Sequence, residues 1–399
     1  MTTYDQFEGF TVADPKHWDV FKKTKFDVKP FQERDIDILI ECCGVCGSDV
    51  HTLTGGWAPK FATNPLCVGH EVVGKAVRVG SKVTTVTVGD RVGVGAQIWA
   101  DLTCDVCKEG HENYCPQQVD TYNAPYPASS GCEGVVAQGG YASHIRAHEH
   151  FTFPIPASIS SIIAAPMMCA GLTTFAPLSR AGAGPGKKVA ILGIGGLGHF
   201  AILWAKALGA EVWALSHSPD KESDAHSLGA DHFVVTTRGC WWKDLAFTFD
   251  FILNAADVTN KFNLADIMGT LKVHGEFHNV GLPDEPLPTL NAFDFATNGA
   301  KLSGSHIGSR QEMLAMLALA AEKGIQPRIE TLDISEDACK VDKLAFINYQ
   351  ILVQQKQGFT RALFRNLVAE EHVLYPAFNL GERGTMLQYL LHLKNDPDT

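Results

Sequence analysis

The sequence predicts an α/β protein in two parts, a β-rich, barrel-like domain followed by a doubly wound parallel sheet. Two patterns carry this. Up to about residue 160, short β-branched runs are broken by glycine; beyond it, longer helical periods alternate with short apolar strands. A third observation fixes the second part. Gly193-Ile194-Gly195-Gly196-Leu197-Gly198 stands between an apolar run and a helical stretch, where glycines let a pyrophosphate approach a helix N-terminus.

With 399 residues, 45% hydrophobic and 19% charged, the chain is long enough for two domains with full cores. Its net charge of −11, with no Lys/Arg block, argues against nucleic acid and anionic membranes as partners and for a small-molecule substrate. The N-terminus has no basic region leading into an apolar run, and no stretch reaches the ~18 apolar residues of a membrane span. A soluble, cytoplasmic protein is expected. There the 11 cysteines are better explained as metal ligands and buried thiols than as disulfides.

In chain order, residues 36–40 predict a strand delivering the chain to the turn Gly44-Val45-Cys46-Gly47-Ser48-Asp49-Val50-His51, and β-branched runs at 72–80 and 86–92 predict further strands. The runs 139–145 and 151–156 complete the β-rich part, and Pro154 and Pro156 mark its exit. Residues 164–174 read as an apolar, helix-like run. Six strands are then expected, at 188–192, 211–215, 231–235, 249–253, 275–281 and 301–305, with a helix at 199–208 and another at 310–323 ended by Gly324. Domain limits follow at 1–160, 161–306 and 307–399, the last an atypical tail with an amphipathic pattern at 386–393.

Cys46 and His70 are donors of the kind Zn²⁺ takes, and Ser48, Asp49, His51 and Glu71 beside them offer a proton relay and supporting partners. A catalytic zinc needs a third protein ligand and an open position. Cys169, in the apolar run 164–174, is the best candidate. Asp49 is assigned to orient a ligand histidine by hydrogen bonding. Trp57, in the loop after His51, and Trp99 are candidates for a substrate pocket.

Cys104, Cys107 and Cys115 form a second cluster with Cys-x2-Cys-x7-Cys spacing. Three thiolates in one loop suit a closed structural zinc, and Asp101, three residues upstream, offers the fourth donor. In the parallel sheet, the end of the second strand discriminates between NAD and NADP, because an acidic residue there bonds the ribose 2′-hydroxyl and repels a 2′-phosphate. This chain has Ser216-His217-Ser218-Pro219-Asp220-Lys221 instead. Ser216 and Ser218 can donate to phosphate oxygens, Lys221 brings positive charge and His217 a further donor, so NADP is expected.

These motifs, in this order and spacing, resemble the zinc-dependent medium-chain alcohol dehydrogenases, and within them the cinnamyl-alcohol-dehydrogenase-like branch, over roughly residues 30–335. The match lies in residues 44–51, Gly69-His70-Glu71, the 104–115 cysteine loop, Met168-Cys169-Ala170-Gly171 and 193–199. The resemblance implies a GroES-like catalytic domain and a Rossmann cofactor domain. It implies Cys46, His70 and Cys169 as catalytic zinc ligands with Glu71 beside the metal, and Ser48 and His51 as proton relay. Thr173, Val280 and Ser305 join the glycine turn around NADP(H), the substrate is a primary alcohol or aldehyde, aromatic or branched, and the assembly is a homodimer. Two departures stand out. Asp101 replaces the family's fourth structural cysteine, and from about Glu336 the sequence leaves the pattern, with residues 359–365 keeping only a loose echo of the family's terminal Arg-Phe. A catalytically impaired relative kept for binding is therefore the alternative, while a zinc hydrolase would leave the dinucleotide turn without a role.

Overall fold

The computed structural model describes residues 5–57, 59–256, 262–283, 285–335, 339 and 350–354. They belong to one compact unit that runs to Gln355. The expectations for 359–365 and 386–393 lie outside the described residues.

The glycine turn sits in a six-stranded parallel sheet ordered His232–Val235, Glu211–Ser216, Lys188–Leu192, Phe249–Asn254, Leu271–Asn279, Lys301–Gly304. All five pairings are parallel, and the order reverses between Lys188–Leu192 and Phe249–Asn254. Such a switch point opens a crevice at the carboxyl ends of the strands, where ligands bind. Central strands read as continuous apolar runs because both faces are covered: Val189, Ala190 and Ile191 are fully buried. The fifth strand begins at Leu271, earlier than expected. Leu271 pairs with Phe249 and Glu276 with Phe251, so a bulge with His274 at φ 62° separates two paired pieces.

In the β-rich part, Asp35–Val45 is the central strand of a seven-stranded sheet, pairing antiparallel with Glu71–Val79, His144–His148 and Gln350–Gln354. The chain thus returns after Ile329 to the sheet it began, since Ile329–Asp333 pairs with Gln350–Gln354. The strand expected at 86–92 starts only at Arg91. Upstream, the Asp90 carboxylate accepts hydrogen bonds from the Thr87 amide at 2.7 Å and hydroxyl at 2.9 Å, a side-chain turn that competes with the ladder.

The apolar run around Cys169 is not one helix. Ser161–Ala164 and the 3-10 turn Ala165–Met168 end at Cys169, at φ −125° and ψ −74°, and Ala170–Arg180 starts afresh. Pro166, lacking an amide hydrogen, weakens the first piece. The second piece packs on Gly196–Ala207, where Trp204, fully buried, donates its indole N–H to Gly171 O at 3.0 Å and meets Phe175 edge-on. The segment carrying Cys169 is thereby fixed to the glycine-turn helix. Among the described residues no single helix is long and apolar enough to cross a membrane; the two pieces Ser161–Met168 and Ala170–Arg180 pass only as a pair bent by 62°.

Candidate active site

Three separate segments bring Cys46, His70, Glu71 and Cys169 together, one ligand atom from each within 4.8 Å of the others. The two sulfurs lie 3.9 Å apart. Tetrahedral zinc with bonds of about 2.3 Å to sulfur separates two thiolates by about 3.8 Å, so the pair has the spacing the metal needs. Among the described residues His70 Nε2 is buried without a hydrogen-bond partner, which suits a metal-ligating nitrogen.

The electrostatics agree. A hydrogen bond from Cys169 pulls the Cys46 thiol well below its usual range against the cost of burial, with His70 assisting. The same contact and burial push Cys169 well above it. Burial opposes charge on His70, but Cys46 and Asp49 outweigh it and raise the ring to about 10. A divalent cation relieves these coupled charges, and the donor set of two sulfurs and an imidazole fits zinc.

Asp49 organises the turn rather than the ring. Its Oδ1 is 3.7 Å from His70 Nδ1, beyond hydrogen-bond distance. It accepts instead from the amides of Cys46 at 2.9 Å and Gly69 at 3.1 Å and from Tyr141 Oη at 3.2 Å. One buried carboxylate therefore ties the Cys46 segment to the His70 segment. The expected hydrogen bond to the ligand histidine gives way to backbone contacts because Asp49, in the first turn of Gly47–Leu53, faces the open amide of Cys46. Gly44 makes room for Glu71, whose Oε2 would lie 1.8 Å from a Cβ at that position.

Ser48 Oγ lies 3.6 Å from the Cys46 sulfur, and His51 follows at i+3 on the same short helix. The His51 ring stacks on Trp57, centroids 5.0 Å apart and planes 6° apart, with Trp57 open to solvent. Trp99, expected at the pocket, lies instead in the core of the β-rich domain, edge-on to Tyr126. Only its position near the cysteine loop in sequence had pointed to the cleft.

The second cluster, Asp101, Cys104, Cys107 and Cys115, also holds its ligand atoms within 4.8 Å. Asp101 Oδ1 accepts from the amides of Thr103 at 2.7 Å and Cys104 at 2.9 Å, and these bonds keep the carboxylate ionised by lowering its pKa. The donors again fit a zinc ion.

At the carboxyl edge of the parallel sheet, Gly193 adopts φ 87°, and a Cβ on Gly198 would lie 1.9 Å from Gly193 O. Gly196 and Leu197 open the helix, Gly195 being its N-cap. Ser216, buried at the end of its strand, accepts from the Ser218 amide at 3.1 Å, and Lys221 donates to Ile194 O at 2.6 Å, which binds this segment to the glycine turn. His217 is exposed beside them. Val280 is buried, its amide on Asn254 O, while Ser305 hydrogen-bonds His278 Nε2 at 2.9 Å and Thr173 donates its amide to Cys169 O.

The alcohol dehydrogenase GroES-like domain matches residues 32–157, and the zinc-binding dehydrogenase domain residues 196–322. NADP-dependent alcohol dehydrogenase 6 of Saccharomyces cerevisiae is 43% identical over 338 residues, 84% of this chain and 92% of the yeast protein. This chain belongs to the zinc-dependent medium-chain alcohol dehydrogenases, in the cinnamyl-alcohol-dehydrogenase-like branch. NADP-dependent alcohol dehydrogenase C 1 of Mycolicibacterium smegmatis is 38% identical over 335 residues, 83% of this chain and 91% of that one. Among solved structures, a cinnamyl alcohol dehydrogenase from Sorghum bicolor superposes with a TM-score of 0.81 at 32% identity, covering 89% of this chain and 100% of that one. One from Helicobacter pylori, complexed with NADP(H), gives 0.78 at 30%, covering 89% and 99%.

In this alcohol dehydrogenase the sequence left two site residues unnoticed. Tyr122 stacks on His70 with centroids 5.4 Å apart, and Tyr141 reaches Asp49. Neither carries a motif, and both approach only through the fold.

Proposed function

We propose that the enzyme interconverts a primary alcohol and its aldehyde using NADP(H), on a zinc held by Cys46, His70 and Cys169 with Glu71 beside it. The observation that carries this is the buried cluster of three donors with zinc spacing, on a segment packed against the glycine-turn helix. Bound there, zinc supplies a Lewis acid for the substrate oxygen and the nicotinamide gives or takes the hydride.

The chain's own residues position and move the proton. Ser48 Oγ, beside the Cys46 sulfur, receives the alcohol proton, and His51, one turn on and next to solvent-facing Trp57, carries it outward. Asp49 holds the two ligand segments in register. Gly193 to Gly198 and the helix they open receive the pyrophosphate, Thr173, Val280 and Ser305 stand toward the nicotinamide, and Ser216, His217, Ser218 and Lys221 receive the 2′-phosphate. The absence of a carboxylate at Ser216 and the NADP-dependent relatives support the cofactor choice.

Aromatic or branched aldehydes are the proposed substrates, supported by Trp57 at the rim and by the cinnamyl alcohol dehydrogenase likeness. Asp101 with the three cysteines holds a second, structural zinc. The working form is proposed to be a cytoplasmic homodimer, which sedimentation equilibrium and cell fractionation test. NADPH consumption with an aromatic aldehyde and with ethanal tests the reaction: higher kcat/KM for the aromatic aldehyde is expected, and equal or better use of ethanal overturns the substrate class. Wild type is expected to favour NADPH, and Ser216→Asp to move the preference toward NADH. A wild-type preference for NADH overturns the cofactor assignment.

A further inference from the structure

The loop that leaves the last strand of the parallel sheet is held from the other domain, by the cysteine loop. It runs from Ser305, directly after Lys301–Gly304, to Ser309, the N-cap of Arg310–Lys323. Within it Ile307 is buried at φ 52°, a left-handed conformation that a β-branched side chain keeps only where its surroundings impose it. Gly308 lets the loop lie on the helix Ala170–Arg180: a Cβ there would come within 2.9 Å of Ala176 Cβ and Leu172 Cδ1.

The surroundings grip the loop on both sides of Ile307. On one side, Asn113 donates its side-chain amide to His306 O at 2.8 Å, the His306 amide donates to Tyr114 Oη at 3.3 Å, and His306 Nδ1 donates to Asn113 O at 3.2 Å. On the other, the Arg310 amide donates to Glu112 Oε1 at 2.5 Å. Glu112 and Asn113 are buried. With Tyr114 they form a three-residue turn that ends at Cys115, whose own amide donates to Glu112 O at 3.1 Å. Every grip on the strained loop therefore comes from the three residues preceding a ligand of the second cluster.

We propose that a zinc at Asp101, Cys104, Cys107 and Cys115 and NADP(H) in the cleft bind cooperatively, with Asn113 as the positioning residue that couples them. The inference rests on the proposed zinc at that cluster. A three-residue turn and the four-residue helix Asp105–Lys108 are too short to be stable by themselves, and their apolar packing is a small cluster of Ala100, Cys115 and Phe151. In a metal loop of this size binding free energy is folding free energy, so zinc fixes Cys115 and with it the turn. The turn then keeps Ile307 in its strained conformation and Ser305, one of the residues proposed to face the nicotinamide, beside His278 at 2.9 Å. A cofactor meets a loop already ordered. With the metal gone, Ile307 relaxes, and NADP(H) has to order the loop as it binds.

Coupling of this kind is reciprocal: the factor by which zinc tightens NADP(H) is the factor by which NADP(H) tightens zinc. The experiment uses Cys46→Ala, in which the second cluster alone holds metal, and reads zinc affinity by competition with a chelator and NADPH affinity by fluorescence titration. Saturating NADPH is expected to raise the zinc affinity by roughly tenfold, and stripping the zinc to weaken NADPH by the same factor. Asn113→Ala in this background should keep its zinc, weaken NADPH by roughly tenfold, and bring both coupling factors close to one. A metal that merely stabilises the fold gives no such matched pair. Zinc affinity unmoved by NADPH, or Asn113→Ala with the full coupling factor, overturns the proposal. Cys46→Ala purified with no zinc takes the second metal site down as well; a bound zinc without coupling removes this inference alone.

Discussion

The two metal-type clusters use nearly the same chemistry and are built in opposite ways. Asp101, Cys104, Cys107 and Cys115 come from a single 15-residue loop, half exposed, whose backbone amides hold the carboxylate in place. Cys46, His70 and Cys169 come from three segments spread over 124 residues, and each is held by contacts from elsewhere: Asp49 and Tyr141 for the first two, Trp204 and the glycine-turn helix for the third. A local cluster is ordered within its own loop. A distributed one is ordered by the fold and presents its metal to a cleft.

Removing a ligand from the distributed cluster should have the largest effect. Cys46→Ala and Cys169→Ala are each expected to lower kcat by at least roughly a thousandfold while NADPH binding, read by fluorescence titration, changes less than about threefold, because transition-state charge loses its stabiliser. Retained turnover in either variant breaks the mechanism.

Asp49→Asn sharpens the claim that the fold orders this site. Zinc affinity, measured by competition with a chelator, is expected to fall by about 10- to 100-fold with all three ligands intact. An unchanged affinity would mean that the backbone contacts of Asp49 contribute nothing to ligand placement.

For the local cluster, Cys107→Ala should remove one zinc of two and lower the melting temperature by about 5 °C, with the other zinc retained. Loss of both metals in that variant would erase the contrast between the clusters, as would one zinc in wild type that the substitution leaves unchanged. Asp101→Cys should slow zinc release to a chelator, since a thiolate replaces a carboxylate already shared with two amides.

The smallest effect lies away from both metals. Burial lowers His148 to about 4, and its Nδ1 accepts from the His150 amide at 3.1 Å. The unfolded chain binds this proton near its ordinary pKa of about 6.5 while the folded one does not. Stability should therefore rise with pH between about 4 and 6.5, by up to about 1.4 kcal/mol per pH unit from this group, and be fully present above that window. Urea unfolding of His148→Gln across the window is expected to show a shallower slope.

Much of this protein is legible in the chain. Periodicity located all six strands of the parallel sheet and the helix Arg310–Lys323 with its Gly324 stop, because apolar runs, capping residues and glycine act over a few residues. The cysteine loop with Asp101 was legible for the same reason: its geometry is set by spacing. The family's motifs named Cys169 as a partner of Cys46. The break that makes Cys169 a helix N-cap, the 3.9 Å between the sulfurs and the move of Trp99 into the core belong to tertiary structure. So does the meeting of Asn113 with His306, 193 residues apart. No local rule brings two such residues together; packing of the cysteine loop against the loop after the last strand does, through hydrogen bonds that exist only once both domains are folded.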